Sequence, residues 1–165
     1  MQRDWMTCNL HLPIPLARVV NVTPRTVTPD DAEPLARLML DAYRGTVDDG
    51  GESLDDARSE VRKLLAGEFG DFDADHSTLW FGPETLDAAT IITRTRGSTP
   101  DPFLAFSMTA THAQRRGLAR AGLIGAMRQL RAVGHARLHL VVTRANTRAV
   151  NLYRSCGFVV SAKPL

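Results

Sequence analysis

Between Pro102 and Ala162 the side-chain pattern changes period four times, and this limits the fold more than any other stretch. PFLAFSMT (Pro102 to Thr109) is an apolar, strand-like run. Gly117 to Val133 places Leu123, Met127 and Leu130 on one helical stripe, with Arg120, Arg128 and Arg131 outside it. Gly122 and Gly125 lie inside that helix, where each costs about 1 kcal/mol against alanine, so close packing on a sheet is expected at both. After Gly134, ARLHLVVT (Ala136 to Thr143) alternates cleanly and predicts a strand. Asn146 to Cys156 predicts a short helix closed by Gly157, and Phe158 to Ala162 a last strand. Strands joined through a helix require a crossover connection, so the chain is of mixed α/β class.

The preceding residues supply the rest of a single domain, placed at residues 18–165. Ala17 to Thr28 is rich in valine and threonine and predicts a first strand, with Pro24 as a break or edge position. Helices are predicted from Pro29 to Tyr43 and from Ser53 to Leu65, the second capped by Ser53. Residues 66–77 read as loop, and Ser77 to Phe81 and Asp87 to Thr95 as strands of a meander completed by Pro102 to Thr109. This totals about six strands and four helices. Residues 1–17 carry an early aspartate and two prolines, and the expectation there is a poorly ordered extension, with Met6 as another candidate start.

A chain of 165 residues can bury a sizeable core. Its two cysteines form no C-x-x-C pair, which argues against a disulfide framework and fits a reducing cytoplasm. No apolar run approaches the roughly 20 residues that span a bilayer, so no membrane partner is expected. The charge is split. Sixteen of the 18 acidic residues lie between Asp30 and Asp87, whereas from Pro102 onward there are ten Lys/Arg and no Asp or Glu. An acidic half attracts a cation and a basic half a polyanion. A nucleic-acid partner is not expected, because few aromatics interleave the arginines and no recognised motif frames them.

Gln114 to Ala119, QRRGLA, stands where the apolar strand gives way to the long helix. Backbone N–H groups in a first helical turn have no intrahelical partner and favour an anion. Gly117 allows a phosphate to approach the backbone, and Arg115 and Arg116 add positive charge. A solvated loop with two surface arginines would look the same. There is no G-x-G-x-x-G, and Leu123 and Ile124 stand where a P-loop needs lysine and serine or threonine. A second informative stretch is TRANTRAVNLYRSCGF. Asn146 and Tyr153 are two turns apart on one helix face, suited to holding an extended ligand and supplying an acid at its far end. Asn146 also suits a helix cap, and Tyr153 a core position.

Together these motifs resemble the GNAT superfamily of acetyl-CoA-dependent N-acetyltransferases. The pyrophosphate loop R/Q-x-x-G-x-G/A is matched by Gln114, Arg115, Arg116, Gly117, Leu118 and Ala119, and N-x-x-A-x-x-L-Y-x-x-x-G-F by Asn146, Ala149, Leu152, Tyr153, Gly157 and Phe158. The match covers residues 102–158; residues 18–96 agree in element order only. The resemblance implies a mostly antiparallel sheet with acetyl-CoA as co-substrate. Main-chain groups of Met108, Thr109 and Ala110 would bond the pantetheine arm and steady the thioester oxygen. The amides of Arg115 to Arg120 would hold the pyrophosphate, and Asn146 the pantetheine. Tyr153 would protonate the leaving thiolate after direct attack by an amine of a small molecule or a protein.

The strand PFLAFSMT lacks the glutamate that many relatives use as base, and Ser107 is its only polar interior residue, able at most to order a water. Asp48, Asp49 and Glu52 lie in a loop that often lines the acceptor pocket of this family; a solvated acidic loop is the plainer alternative. A non-catalytic acyl-CoA-binding regulatory domain is the alternative function. His135 and His139 mimic a metal-binding spacing on a segment that reads as turn and strand, so no metal is expected; His112 is a weak phosphate contact. The chain stops soon after Phe158, where family members usually have a seventh strand. The sheet is therefore expected to be incomplete or completed by a partner, with a homodimer as one outcome.

Overall fold

Gly117 and Gly134 adopt left-handed φ values of 78° and 95°, and these two points mark off the long helix that the rest of the fold packs around. The computed structural model describes residues 1–18, 22–98 and 100–164. Its strands and helices are β1 (Arg3–Asn9), β2 (Pro24–Arg25), α1 (Ala32–Tyr43), α2 (Leu54–Leu65), β3 (Asp71–Phe72), β4 (Thr78–Phe81), β5 (Leu86–Arg94), β6 (Pro102–Thr109), α3 (Leu118–Ala132), β7 (Arg137–Thr143), α4 (Thr147–Ser155) and β8 (Val159–Val160). The four expected helices are present. Ser53 caps α2 by accepting the Asp56 N–H, while the Asp56 carboxylate takes the Ser53 N–H in return.

One sheet holds all eight strands, in the order β2-β4-β5-β6-β7-β1-β8, with β3 beside β5. Every pairing is antiparallel except β6 with β7. The count exceeds the expected six because β1 and the short β3 fell in stretches read otherwise. Of the strand expected from Ala17 to Thr28, only Pro24–Arg25 pairs, on the edge beside β4, and residues 19–21 lie outside the described ones. The loop expected over residues 66–77 contains β3 and a single 3-10 turn, Ala74–His76.

The largest correction concerns the N-terminus. Residues 3–9 are not a poorly ordered extension but a strand inserted between β7 and β8. Met6, Cys8 and Leu10 alternate into the core at 0%, 4% and 0% exposure. Met6 lies opposite Leu140 on one side and Val160 on the other. The strand expected to be missing near the C-terminus is thus supplied from within the chain.

Two apolar clusters hold the layers together. One joins α1 and α2 to β4 and β5; the other joins α3, β1, β7 and the end of α4. Gly122 is in close contact as expected: a Cβ there would lie 2.1 Å from Thr90 Oγ1. Gly125 is not, because a Cβ there would meet nothing within 4 Å.

The feature that makes a site is the gap between β6 and β7. Their parallel pairing is confined to Phe103 with His139. On β6 the register shifts so that Ile91 faces Phe106 and Ile92 faces Leu104, leaving Ala105 as an extra residue. Such a bulge bends its strand. Beyond it β6 leaves β7, and a cleft opens in the middle of the sheet.

Candidate functional site

The parted strand presents its main chain to the cleft. Ala110 N–H donates to the Asp87 carbonyl at 2.8 Å, so Ala110 and Asp87 form a hydrogen-bonded pair of the β5–β6 ladder. An antiparallel ladder alternates, so Met108 also bonds towards β5, while Ser107 and Thr109 turn their N–H and C=O groups towards the gap. The expected main-chain contacts at Met108, Thr109 and Ala110 therefore narrow to Thr109, and Ser107 joins it. The Ala110 carbonyl is engaged as well, by Ala113 N–H at 2.9 Å.

At the end of this strand lies a cavity of about 300 Å³ lined by Gln114, Arg115, Gly117, Leu118, Ala119 and Arg120, together with Arg148 and Asn146. No acidic side chain lines it. The first hydrogen bond inside α3 is Ala121 N–H to the Gly117 carbonyl at 2.9 Å, so the amides ahead of it are free of the helix ladder. Arg115 has φ 64° and Gly117 φ 78°, and Arg115 is the one positive-φ residue other than glycine among those described. Turns of this kind gather N–H groups into an anion-binding concavity. Gln114 is held by Arg148 at 2.7 Å, and Arg120 by Ser155 at 2.7 Å. Arg116 differs from its neighbours. It is turned away from the cavity and pairs with buried Asp87 at 3.1 Å. His112 bonds the same carboxylate at 2.9 Å, so its phosphate role is replaced by an internal one.

A second cavity, of about 590 Å³, opens on the other side of the cleft. Tyr43, Ser107, Asn146, Ala149 and Tyr153 line both cavities and form the wall between them. Asn146 combines its two sequence-based readings. Its Oδ1 caps α4 by accepting Ala149 N–H at 3.1 Å, and its Nδ2 donates to Asp48 Oδ2 at 3.2 Å. Asp48 also accepts from Thr143 Oγ1 at 2.6 Å. Tyr153 is nine-tenths buried, and burial pushes its phenol up to about 12, against the opposing pull of a hydrogen bond with Ser107. Burial likewise raises Tyr43.

The larger cavity is acidic. Asp48, Asp49, Glu52, Asp56 and Glu60 line it against Arg3 and Arg44. Asp49 accepts N–H groups from Gly45 at 2.7 Å and Gly51 at 2.9 Å, which hold its carboxyl below the usual range. Glu52 accepts Gly50 N–H at 2.9 Å. These two shape the loop between α1 and α2, and Asp48 reaches from it to the wall that carries Tyr153.

The sequence profile of the Acetyltransferase (GNAT) family matches residues 51–158. The chain belongs to the GNAT acetyltransferase family. Solved structures agree with this GNAT domain in fold. A GCN5-related N-acetyltransferase from Sphaerobacter thermophilus is 19% identical with a TM-score of 0.71, the match covering 96% of this chain and 48% of the other. The domain thus spans about half the length of that relative. A GNAT-family acetyltransferase from Desulfovibrio desulfuricans is 22% identical over 86% of this chain and 87% of its own, with a TM-score of 0.67. Aminoglycoside N-acetyltransferase AAC(6')-Iy, solved in complex with CoA, is 13% identical over 91% and 95%, with a TM-score of 0.64. Among curated proteins none matches the sequence.

Several residues of this cleft escape sequence reasoning. Tyr43, Thr143 and Arg3 come from three separate elements and meet only in the cleft. Asp87 sits at the start of a strand and carries no motif. Arg148, which lines the smaller cavity, had a usable signal, since it lies in the same helical turn as Asn146. His135 and His139 do not converge. His139 Nδ1 is bonded to Thr7 Oγ1 at 2.8 Å and Nε2 to Asp101 at 3.2 Å, while His135 lies against Arg94. Among the described residues no group of three or more His, Cys, Asp or Glu is placed to hold a metal, and no helix is long and apolar enough to cross a membrane.

Proposed function

We propose that this protein transfers an acetyl group from acetyl-CoA to a cationic amine by direct attack. The observation that carries the reading is the shared wall: Tyr153, Ser107 and Asn146 line both the basic cavity at the start of α3 and the acidic cavity beside α1 and α2. Free amides, arginines and the lack of any carboxylate suit the first cavity to a diphosphate. The open edge of β6 suits a pantetheine arm, which carries amides of its own. Five carboxylates against two arginines suit the second cavity to an acceptor bearing positive charge.

In this reading the amides of Arg115 to Arg120 grip the pyrophosphate, and Asn146 and the main chain of Ser107 and Thr109 align the thioester. An N–H of that strand meets the carbonyl oxygen as charge develops on it. Asp48 takes the proton of the incoming ammonium, directly or through a water ordered by Ser107. The amine nitrogen bonds to the acetyl carbon as the carbon–sulfur bond breaks. Tyr153 gives its proton to the departing sulfur, and the second proton shed by the nitrogen as the amide forms restores the phenol. No covalent enzyme intermediate is required, in keeping with two buried, unpaired cysteines.

The test is calorimetric titration with acetyl-CoA, followed by thiol release against monoamines, diamines and polyamines. Micromolar binding and turnover that rises with acceptor charge are expected. Undetectable acetyl-CoA binding sinks the proposal. The missing carboxylate on β6 favours one second reading, a non-catalytic acyl-CoA-binding regulatory domain; binding without sustained thiol release would select it.

A further inference from the structure

Asp87 is a buried carboxylate with no place in the chemistry above, yet it touches the β4–β5 turn, the end of β6 and the diphosphate loop. It is 2% exposed at the start of β5. Its carboxylate is bonded by His112 Nε2 at 2.9 Å, Arg116 at 3.1 Å and Thr85 Oγ1 at 3.2 Å. Its carbonyl accepts Ala110 N–H at 2.8 Å. A Cβ at Gly82 would lie 2.6 Å from the carboxylate, so the β4–β5 turn packs directly on it. A charge this deep is tolerated only with full partnership.

Arg116 explains what the arrangement does. It is the one loop arginine turned away from the phosphate cavity, whereas its neighbours Arg115 and Gly117 line it. Both neighbours hold left-handed φ values, 64° and 78°. Arg115 carries a Cβ and pays a steric penalty in that region. Such a conformation persists only when surrounding contacts over-determine it. The Arg116–Asp87 pair is the contact that does so on the helix side of Arg115, as the Gln114–Arg148 bond does on the strand side.

We propose that Asp87 is the positioning residue of the diphosphate loop, holding Arg116 and His112 so that the amides from Arg115 to Arg120 converge before the ligand arrives. This rests on the acetyl-CoA reading above. Pre-organisation lowers the ordering cost of binding and so appears as affinity.

The test compares CoA with pantetheine, which lacks the diphosphate, in calorimetric and competition titrations of wild type, Asp87→Asn, Arg116→Gln and the double variant. Arg116 is half-exposed, so Arg116→Gln gives a folded control should Asp87→Asn fold poorly. Each single variant should weaken CoA about tenfold and leave pantetheine within about twofold. The double variant should be no worse than either single one, because both remove one linkage. Arg116→Lys should retain part of the affinity. Unchanged or tighter CoA binding in Asp87→Asn would show that Arg116 acts directly on phosphate and would overturn the proposal. Equal weakening of both ligands would overturn it too, by marking a general structural defect. A wild-type protein that binds no CoA would instead defeat the functional reading.

Discussion

Asn146 donates its side-chain amide to Asp48 Oδ2 at 3.2 Å, across 98 residues of sequence. The bond ties the acidic loop between α1 and α2 to the helix that carries Tyr153. Asp48 and Tyr153 thereby line one cavity, joined through Asn146.

Asp48→Asn should lower kcat/KM by about 10²–10⁴-fold, because proton removal from the ammonium is lost. Acetyl-CoA affinity should change far less than kcat/KM, since Asp48 lines only the acidic cavity and reaches the thioester side through Asn146. Steady-state kinetics from pH 6 to 9, alongside calorimetry, check both. A kcat/KM within about twofold of wild type would remove Asp48 from proton transfer.

Tyr153→Phe should reduce kcat by about 10²–10⁴-fold while acetyl-CoA still binds. A phenol pushed up to about 12 stays protonated at every working pH, so no alkaline loss of activity should be traceable to it below pH 10. The stability sign follows from the same shift. An unfolded tyrosine ionises near about 10, whereas the folded phenol holds its proton to about 12. The unfolded state therefore loses protons first, and stability falls as pH rises through that window. Urea midpoints measured between pH 9 and 12 should fall less steeply in Tyr153→Phe, with Tyr43 accounting for part of the remaining slope.

Met6→Ala should destabilise the protein by about 2–5 kcal/mol, the cost of a cavity beneath fully buried methionine. Urea denaturation reads it directly. A change below about 0.5 kcal/mol would mean that β1 contributes little to the sheet it completes.

Gly122→Ala and Gly125→Ala should move stability in opposite directions. The added methyl at 122 meets Thr90 Oγ1 and costs about 1–3 kcal/mol through overpacking. At 125 nothing lies within 4 Å, so helix propensity dominates and about 1 kcal/mol is gained. Thermal melts of the two variants, with Gly122→Ala in a Thr90→Ala background as rescue, settle the contrast.

Local pattern carried much of this protein. The helix stripe of Leu123, Met127 and Leu130, the capping of α2 by Ser53, the loop QRRGLA and the Asn146–Tyr153 spacing are all short-range features. Backbone geometry and side-chain periodicity act over a few residues, so the sequence by itself determined these elements and the family they resemble. What it could not determine were pairings between distant segments. RDWMTCN reads as part of a poorly ordered extension until β7 and β8 offer it two open edges. Arg116 reads as a phosphate ligand until Asp87, 29 residues away, draws it inward. Asp48 reads as one acid among several until Thr143 and Asn146 select it. Each outcome depends on which buried partner is near enough to satisfy a polar group or cover an apolar one, and only the tertiary structure brings those partners together.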